Sequence, residues 1–272
     1  MKRTPLLVVG LVISVGISCH REKRYDETLT KDLVVAATNK NVENTKSLLA
    51  RNANPNAVDA DGAPLLMAVL MRMQISFHEV NSGTISGDQR ESETAQIVKL
   101  LLDSGATPNA KDKEGNPVLL AAFSRQNPAI VADLIRAGAD VNGASSSGSP
   151  LIVEAAFSAD PKTLQLLLDA GADVNRKRKD GATALLAATY KQNWEFSRAL
   201  IQKGADVNAR MEVGTSLLFA AASGDLETVK LLVQKGADVN AKDNHAISPL
   251  SIAQTRNHQA VVDFLKTAGA KP

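Results

Sequence analysis

Apolar residues in this chain fall into short paired blocks separated by polar, glycine-marked stretches. In one kind of block leucine and valine crowd together, as at 164–168 and 229–233, and a shorter alanine- and leucine-rich block precedes each, as at 185–189 and 217–222. Neither alternates apolar and polar residues as a half-buried strand does, so the pattern predicts pairs of short helices. The boundaries agree. Asn41, Thr94, Asn127, Asp160, Asn193, Asp225 and His258 stand eleven positions before Asn52, Gly105, Gly138, Gly171, Gly204, Gly236 and Gly269. All but His258 are types that cap a helix N-terminus, and Pro128 and Pro161 follow two of them at the favoured first helical position. Glycine, or asparagine at Asn52, suits the left-handed residue that ends a helix. Each second helix is therefore about ten residues long with a marked start and stop. Turns at Asp61-Gly62, Glu114-Gly115, Ser147-Gly148 and Asp180-Gly181 precede most of the first helices.

The blocks repeat. Gly-Ala-Asp/Thr-x-Asn recurs from Gly105, Gly138, Gly171, Gly204 and Gly236, and Gly269-Ala270 closes a series spaced by 33, 33, 33, 32 and 33. An earlier copy reads Asn52-Ala53-Asn54-Pro55-Asn56. A second motif opens the first helices as Ala63-Pro64-Leu65-Leu66, Asn116-Pro117-Val118-Leu119, Ser149-Pro150-Leu151-Ile152, Thr183-Ala184-Leu185-Leu186, Thr215-Ser216-Leu217-Leu218 and Ser248-Pro249-Leu250-Ser251. These strings at this period resemble the ankyrin-repeat family and its Thr-Pro-Leu-His motif over about residues 30–272. The family's histidine is absent from every copy, which implies that the bonding it supplies between repeats is missing. The resemblance implies an all-α ankyrin-repeat solenoid of about seven helix-turn-helix units with β-hairpin-like fingers, the end units acting as caps. It also implies recognition of a protein partner through finger tips and the inner-helix face, with no cofactor. Alanines at Ala68, Ala121, Ala188, Ala220 and Ala253 let neighbouring inner helices approach closely.

One interval breaks the period. From Asn52 to Gly105 is 53 residues, and the surplus lies between the two helices of one unit, at about 71–93. Its centre, 81–88, is loop-like in composition, 71–77 alternates apolar and polar, and Asp88 with Glu91 suits an outer helix that starts early. Such an insertion is either a cheaply tolerated surface loop or part of a binding face.

The N-terminus carries a different signal. Lys2 and Arg3 precede an apolar run at 6–17, whose 12 residues are too few to span a bilayer and fit a secretory signal. Gly16-Ile17-Ser18-Cys19 follows and resembles a bacterial lipobox, departing from it at Gly16, where leucine is preferred. The resemblance implies a signal peptide at 1–18, lipidation of Cys19 and a charged tether at 19–29 before the repeat domain at 30–272. It further implies a periplasm-facing protein, and His20 rather than aspartate after the cysteine points to the outer membrane. An ordinary cleaved signal with an incidental cysteine is the plainer alternative. Cys19 is the only cysteine, so no disulfide forms within the chain.

Composition narrows the function classes. Removing Lys2 and Arg3 leaves 29 basic residues, from 31, against 29 acidic ones, and a neutral body argues against nucleic acid. His20, His78, His245 and His258 are scattered without metal-ligand spacing, no Gly-x-Ser-x-Gly elbow or phosphate-cradling loop is present, and an acylated Cys19 is no nucleophile. The chain therefore reads as a binding protein rather than an enzyme, with no metal or small-molecule substrate. Candidate partner contacts are Lys113, Lys177, Arg178, Lys179 and Met211 on finger tips, with Trp194 just after a cap residue as a wedge or interface anchor. The run from Arg176 to Lys179 is either a solvated turn or a complement to an acidic surface. Phe123, Phe157 and Tyr190 suggest a packing stripe more than a ligand box, and Glu154 is either an exposed side chain or a contact on the inner-helix face. Two roles stay open: a lipid-anchored scaffold, and an immunity-type inhibitor that neutralises a toxic enzyme in the envelope. The neighbouring gene would separate them.

Overall fold

The computed structural model describes residues 25–71, 87–123, 125, 127–158 and 160–271. The expected signal peptide, Cys19 and most of the tether lie outside these residues, as does the greater part of the insertion.

Fourteen helices among the described residues form seven antiparallel pairs. They are α1 (Glu27–Thr38) with α2 (Val42–Ala50), α3 (Leu65–Met71) with α4 (Gly87–Asp103), and α5 (Val118–Phe123) with α6 (Pro128–Arg136). Then come α7 (Leu151–Ser158) with α8 (Pro161–Asp169), α9 (Ala184–Tyr190) with α10 (Trp194–Gln202), α11 (Ser216–Ser223) with α12 (Leu226–Gln234), and α13 (Pro249–Thr255) with α14 (Gln259–Thr267). Each first helix packs on the next first helix and each second on the next second, giving an inner and an outer layer. The buried apolar residues form one cluster running from Leu33 to Leu265. No pair could bury its apolar face alone, so the stack itself is the source of stability.

Local chemistry explains the helix ends. The side chains of Asn41, Asn127, Asp160, Asn193 and Asp225 accept backbone N–H groups in the first turns of α2, α6, α8, α10 and α12, satisfying donors that have no partner within the helix. All seven predicted stop positions, Asn52 included, have positive φ. One expected cap differs. Thr94 is buried inside α4, which starts at Gly87, because the polar residues ahead of it continue the helix. His258 makes no side-chain cap bond. The expected tether also ends early, since Asp26 caps α1 by accepting from Leu29 N at 2.9 Å and Glu27 to Leu29 form its first turn.

Between units the chain makes hairpin fingers. One has paired strands, β1 (Arg210–Met211) and β2 (Gly214–Thr215), and three others close through single bridges, Val58 to Pro64, Lys111 to Pro117 and Ala144 to Pro150. At the base of the fingers runs an asparagine ladder. Asn109 donates to Gly138 O at 3.0 Å and accepts from Asp140 N at 2.8 Å, and Asn175 donates to Gly204 O at 3.2 Å and accepts from Asp206 N at 2.8 Å. Asn142, Asn208 and Asn240 make the same two bonds to the unit that follows. Asn56 makes them too, to Gly105 O at 3.0 Å and from Thr107 N at 2.7 Å, across the insertion. The ladder thus keeps its two bonds between the units on either side of the longer interval.

Candidate functional site

The fingers share one turn. Asp59, Asp112, Ser145, Arg178 and Asp243 each donate their N–H to the carbonyl four residues on, at 2.9 to 3.0 Å. Asp59, Asp112 and Asp243 also turn their carboxylates back onto the N–H groups of their own finger. Arg178 takes that place in the fourth finger, and its side chain has no such task. It reaches over the inner layer instead, with Cζ 5.7 Å from the centre of the Phe157 ring on α7. Asp180 fixes it from the side, accepting from Nε at 3.2 Å and from Nη2 at 2.5 Å. The bond from Arg178 holds the Asp180 carboxyl below the usual carboxylate range, and the Ala182 N–H adds to this.

The other predicted contacts divide into groups. Lys177 and Lys179 flank Arg178 and are exposed. Lys177 Nζ lies 3.7 Å from Asp206, and the stem of Lys179 lies over Gly148 of the preceding finger. Met211, on the next finger, is half-buried and packs on the core edge. Lys113 lies two fingers away, exposed, with its stem over Gly62. Trp194 is not with them. It opens α10 at the edge where inner and outer helices join, half-buried against the core.

The aromatic stripe does not form as a stripe. Phe123 stands six residues after Pro117 but Phe157 stands seven after Pro150, so similar strings aim at different helix faces. Phe123 is 1% exposed and Phe157 is half-buried under Arg178. Tyr190 is 56% exposed and meets Phe219 of α11 edge-on, ring centres 5.6 Å apart. Glu154 is half-buried.

Exposed large apolar side chains are unevenly placed. Val35, Met71 and Tyr190 lie on inner helices and Val58 and Val213 on fingers, and each is more than half exposed. Among the described residues no side chain of this class on an outer helix is so exposed. An open groove beside the first finger is lined by Val58, Pro64, Leu66, Ala106 and Thr107, and no titratable side chain lines it. Among the described residues no cluster of three His, Cys, Asp or Glu is placed to hold a metal.

Sequence reasoning missed the bonds that join units where inner helix turns into outer. Lys40 Nζ donates to Val69 O and Arg125 Nη2 to Leu70 O, so units one and three both grip the end of α3, from which the insertion departs. His258 Nε2 lies 3.1 Å from Ala222 O of the sixth unit, a contact between repeats made from a position outside the motif that lacks its histidine. Lys40 and Arg125 carry no periodic signal, and His258, though it stands at the periodic cap position, gives no sign in sequence of its bond to the preceding unit.

Comparison with known proteins agrees with this architecture. The family described as ankyrin repeats matches in three copies, at residues 90–178, 151–243 and 215–272, together more than half of the chain. No curated protein sequence matches. Among solved structures, the human ASB11 ankyrin repeat domain is 23% identical, with a TM-score of 0.64, covering 88% of this chain and 98% of that one. The ankyrin repeat domain of Bcl-3, described as a unique member of the IkappaB family, is 24% identical with a TM-score of 0.64, covering 86% and 97%. At these identities the likeness shows the fold.

Proposed function

Because the chain belongs to the ankyrin-repeat family, whose repeats generally mediate protein–protein interaction, we propose that it is a lipid-anchored, periplasm-facing module that binds a protein partner through its finger tips and inner-helix face. The observation that carries this reading is that, among the described residues, the exposed large apolar side chains lie on inner helices and fingers and none on an outer helix. These side chains leave apolar surface for a partner on the inner-helix and finger side toward both ends of the array, near Val35, Val58 and Met71 and near Tyr190 and Val213. The Lys177, Arg178 and Lys179 finger stands over the same side and adds charge that steers a partner.

Support for the anchor comes from the N-terminal residues. Lys2 and Arg3, the apolar run and Ser18-Cys19 suit a lipoprotein signal, and no helix among the described residues is long and apolar enough to cross a membrane. From Cys19 to the cap at Asp26 the chain spans at most about 28 Å, which keeps the repeats near the bilayer. His20 after the cysteine favours the outer membrane.

Two measurements test the proposal. Labelled palmitate enters the protein, and Cys19→Ser releases it as a soluble periplasmic form; an unlabelled protein that is already soluble refutes the anchor. A partner cross-linked in the envelope loses affinity on combined Lys177→Glu and Lys179→Glu substitution, chiefly through slower association. Gln165→Ala with Asp169→Ala on α8, an outer helix, leaves binding intact. The reverse pattern refutes the binding face.

A further inference from the structure

We propose that Arg178 is the anchor for a carboxylate on an extended acidic segment of the partner, whose apolar side chain lands on Tyr190 and Phe219. This rests on the reading of the inner face as the binding surface and names the chemistry it takes.

The first ground is that Arg178 departs from the finger pattern. Where Asp59, Asp112 and Asp243 close their own turns, Arg178 is freed, and two contacts then hold it in place: the Phe157 ring beneath and Asp180 at the Nε/Nη2 edge. Asp180 shows the geometry that a carboxylate adopts on this guanidinium. It occupies one edge, and Nη1 has no protein partner among the described residues. A planar fork held on an aromatic face is prepared for a second carboxylate at little entropic cost.

The second ground is charge. Of the six fingers, only that of Arg176, Lys177, Arg178, Lys179 and Asp180 has more cations than acids. Lys177 is partly satisfied by Asp206, so the excess is small and local. An anionic bilayer is recognised by clusters of about four to eight Lys and Arg, and nucleic acid by a long basic track. This finger has four, of which Lys177 faces Asp206 and Arg178 is paired with Asp180. One short cationic finger between neutral neighbours fits neither and fits a few carboxylates on a peptide.

The third ground is the apolar neighbour. Phe157 and Tyr190 stand near the C-terminal ends of α7 and α9, which pack side by side. Adjacent helices lie about 8–10 Å apart, so an extended segment crossing them places side chains about two or three residues apart over Arg178 and Tyr190. Tyr190, exposed and set edge-on to Phe219, offers a rigid amphipathic landing point.

The test is selection of random twelve-residue displayed peptides on the full chain, followed by fluorescence anisotropy with the selected peptides. The expected consensus has Asp or Glu about two or three residues from a leucine or aromatic. Affinity falls at least about tenfold in Arg178→Lys, which keeps the charge and loses the planar fork, and falls further with salt. Tyr190→Ala weakens binding without changing the salt dependence. Circular dichroism melts confirm that both variants stay folded. Peptides that need Tyr190 and ignore Arg178 overturn this assignment and leave the binding face standing. Peptides indifferent to both and lost on Gln165→Ala with Asp169→Ala overturn the face as well. Binding of phosphatidylglycerol vesicles that depends on Arg178, with no acidic peptide selected, overturns the choice of partner.

Discussion

The two edges of the solenoid solve one problem in different ways. At the finger edge every junction between units from Asn56 onward uses the same device, an asparagine that donates to one carbonyl and accepts from one N–H of the next unit. At the helix-hairpin edge the devices differ: Lys40 and Arg125 grip α3, His258 grips Ala222, and Arg198 lies 3.6 Å from Asp225 and 3.3 Å from the Thr228 hydroxyl. The repeated device sits on backbone whose geometry recurs, because the left-handed stop and the turn after it place the same carbonyl and N–H each time. The hairpin edge varies in loop residue and, at the second unit, in length. The finger edge therefore sets the register of the stack, and the hairpin edge adjusts each junction separately.

The largest expected effect probes the hairpin edge. Gly224 has φ +80, and a Cβ there would lie 2.6 Å from Nδ1 of His258. The same loop position is held by Lys40, Gln192 and Asn257 at φ 61, 58 and 61, so the backbone alone tolerates a side chain. Gly224→Ala should cost about 3 kcal/mol: about 1 for the left-handed residue, the rest for displacing the ring and its bond to Ala222 O. Combined with His258→Ala the loss should be much smaller than the sum of the two single changes, since the clash disappears. Urea denaturation of the four proteins measures it, with hydrogen exchange expected to show α13 and α14 fraying first. Additive costs would mean that the ring does not occupy this place.

The second effect breaks the ladder. Asn175→Ala removes two bonds and leaves the Gly204 carbonyl and the Asp206 N–H to solvent, for a loss of about 2 kcal/mol. Asn175→Asp keeps the acceptor and loses the donor, and should fall between. Because each unit leans only on its neighbours, the break lies in mid-array and should broaden or split the unfolding transition, whereas His258→Ala loosens only the end. A single sharp transition for Asn175→Ala, shifted no more than that of an exposed control such as Lys162→Ala, would remove the ladder from the account.

Legibility follows the same division. Everything periodic was readable: seven pairs, five side-chain caps and all seven left-handed stops. The asparagine of the ladder was visible as a repeated letter, but its bonds reach into the next unit, about 30 residues on, and local reasoning assigns it no partner. Thr94 was misplaced because a spacing rule carried a cap across the insertion, where polar residues prolong α4. The aromatic stripe failed on a one-residue shift between Pro117 and Phe123, which turns a side chain by about 100° on a helix. Of the candidate contacts, Lys177, Arg178 and Lys179 come together and Met211 sits on the adjacent finger, while Trp194 belongs to the other edge. The packing of Arg178 on Phe157 needs coordinates, since the two are 21 positions apart with no shared motif.

A third, smaller effect separates backbone from packing at the stop positions. Gly171 has φ +81 and nothing within 4 Å of a Cβ, so substitution there meets strain alone. Gly171→Val should lose about 1–2 kcal/mol. Gly171→Asn should lose only a few tenths of that, because Asn52 holds the equivalent place at φ 73. Thermal melts of the pair decide it. Equal losses would show that crowding, rather than the left-handed backbone, selects glycine here.

The smallest effect has the opposite sign and tests whether the fingers are as interchangeable as the ladder beneath them. Gly62, Gly115, Gly148 and Gly181 hold the left-handed residue of their turns, whereas the finger between α12 and α13 places Ala246 there at φ 61. The turn is otherwise the same, with Ala246 N donating to Asp243 O at 3.1 Å as Gly181 N does to Arg178 O at 3.0 Å. Ala246 thus carries a strain of about 1 kcal/mol that the other fingers avoid. Glycine would remove it but gain freedom in the unfolded chain, which offsets about half. Ala246→Gly should therefore stabilise by about 0.5 kcal/mol, read as a small rise in melting temperature. The converse change is not its mirror image. At Gly181 a Cβ would sit 3.0 Å from the Arg210 carbonyl oxygen of the next finger, so Gly181→Ala adds crowding to strain and should lose more than Ala246→Gly gains. Equal and opposite shifts would show that the turn alone decides, and that fingers do not press on one another. A loss on Ala246→Gly would show instead that the Ala246 methyl makes a contact worth more than the strain it carries.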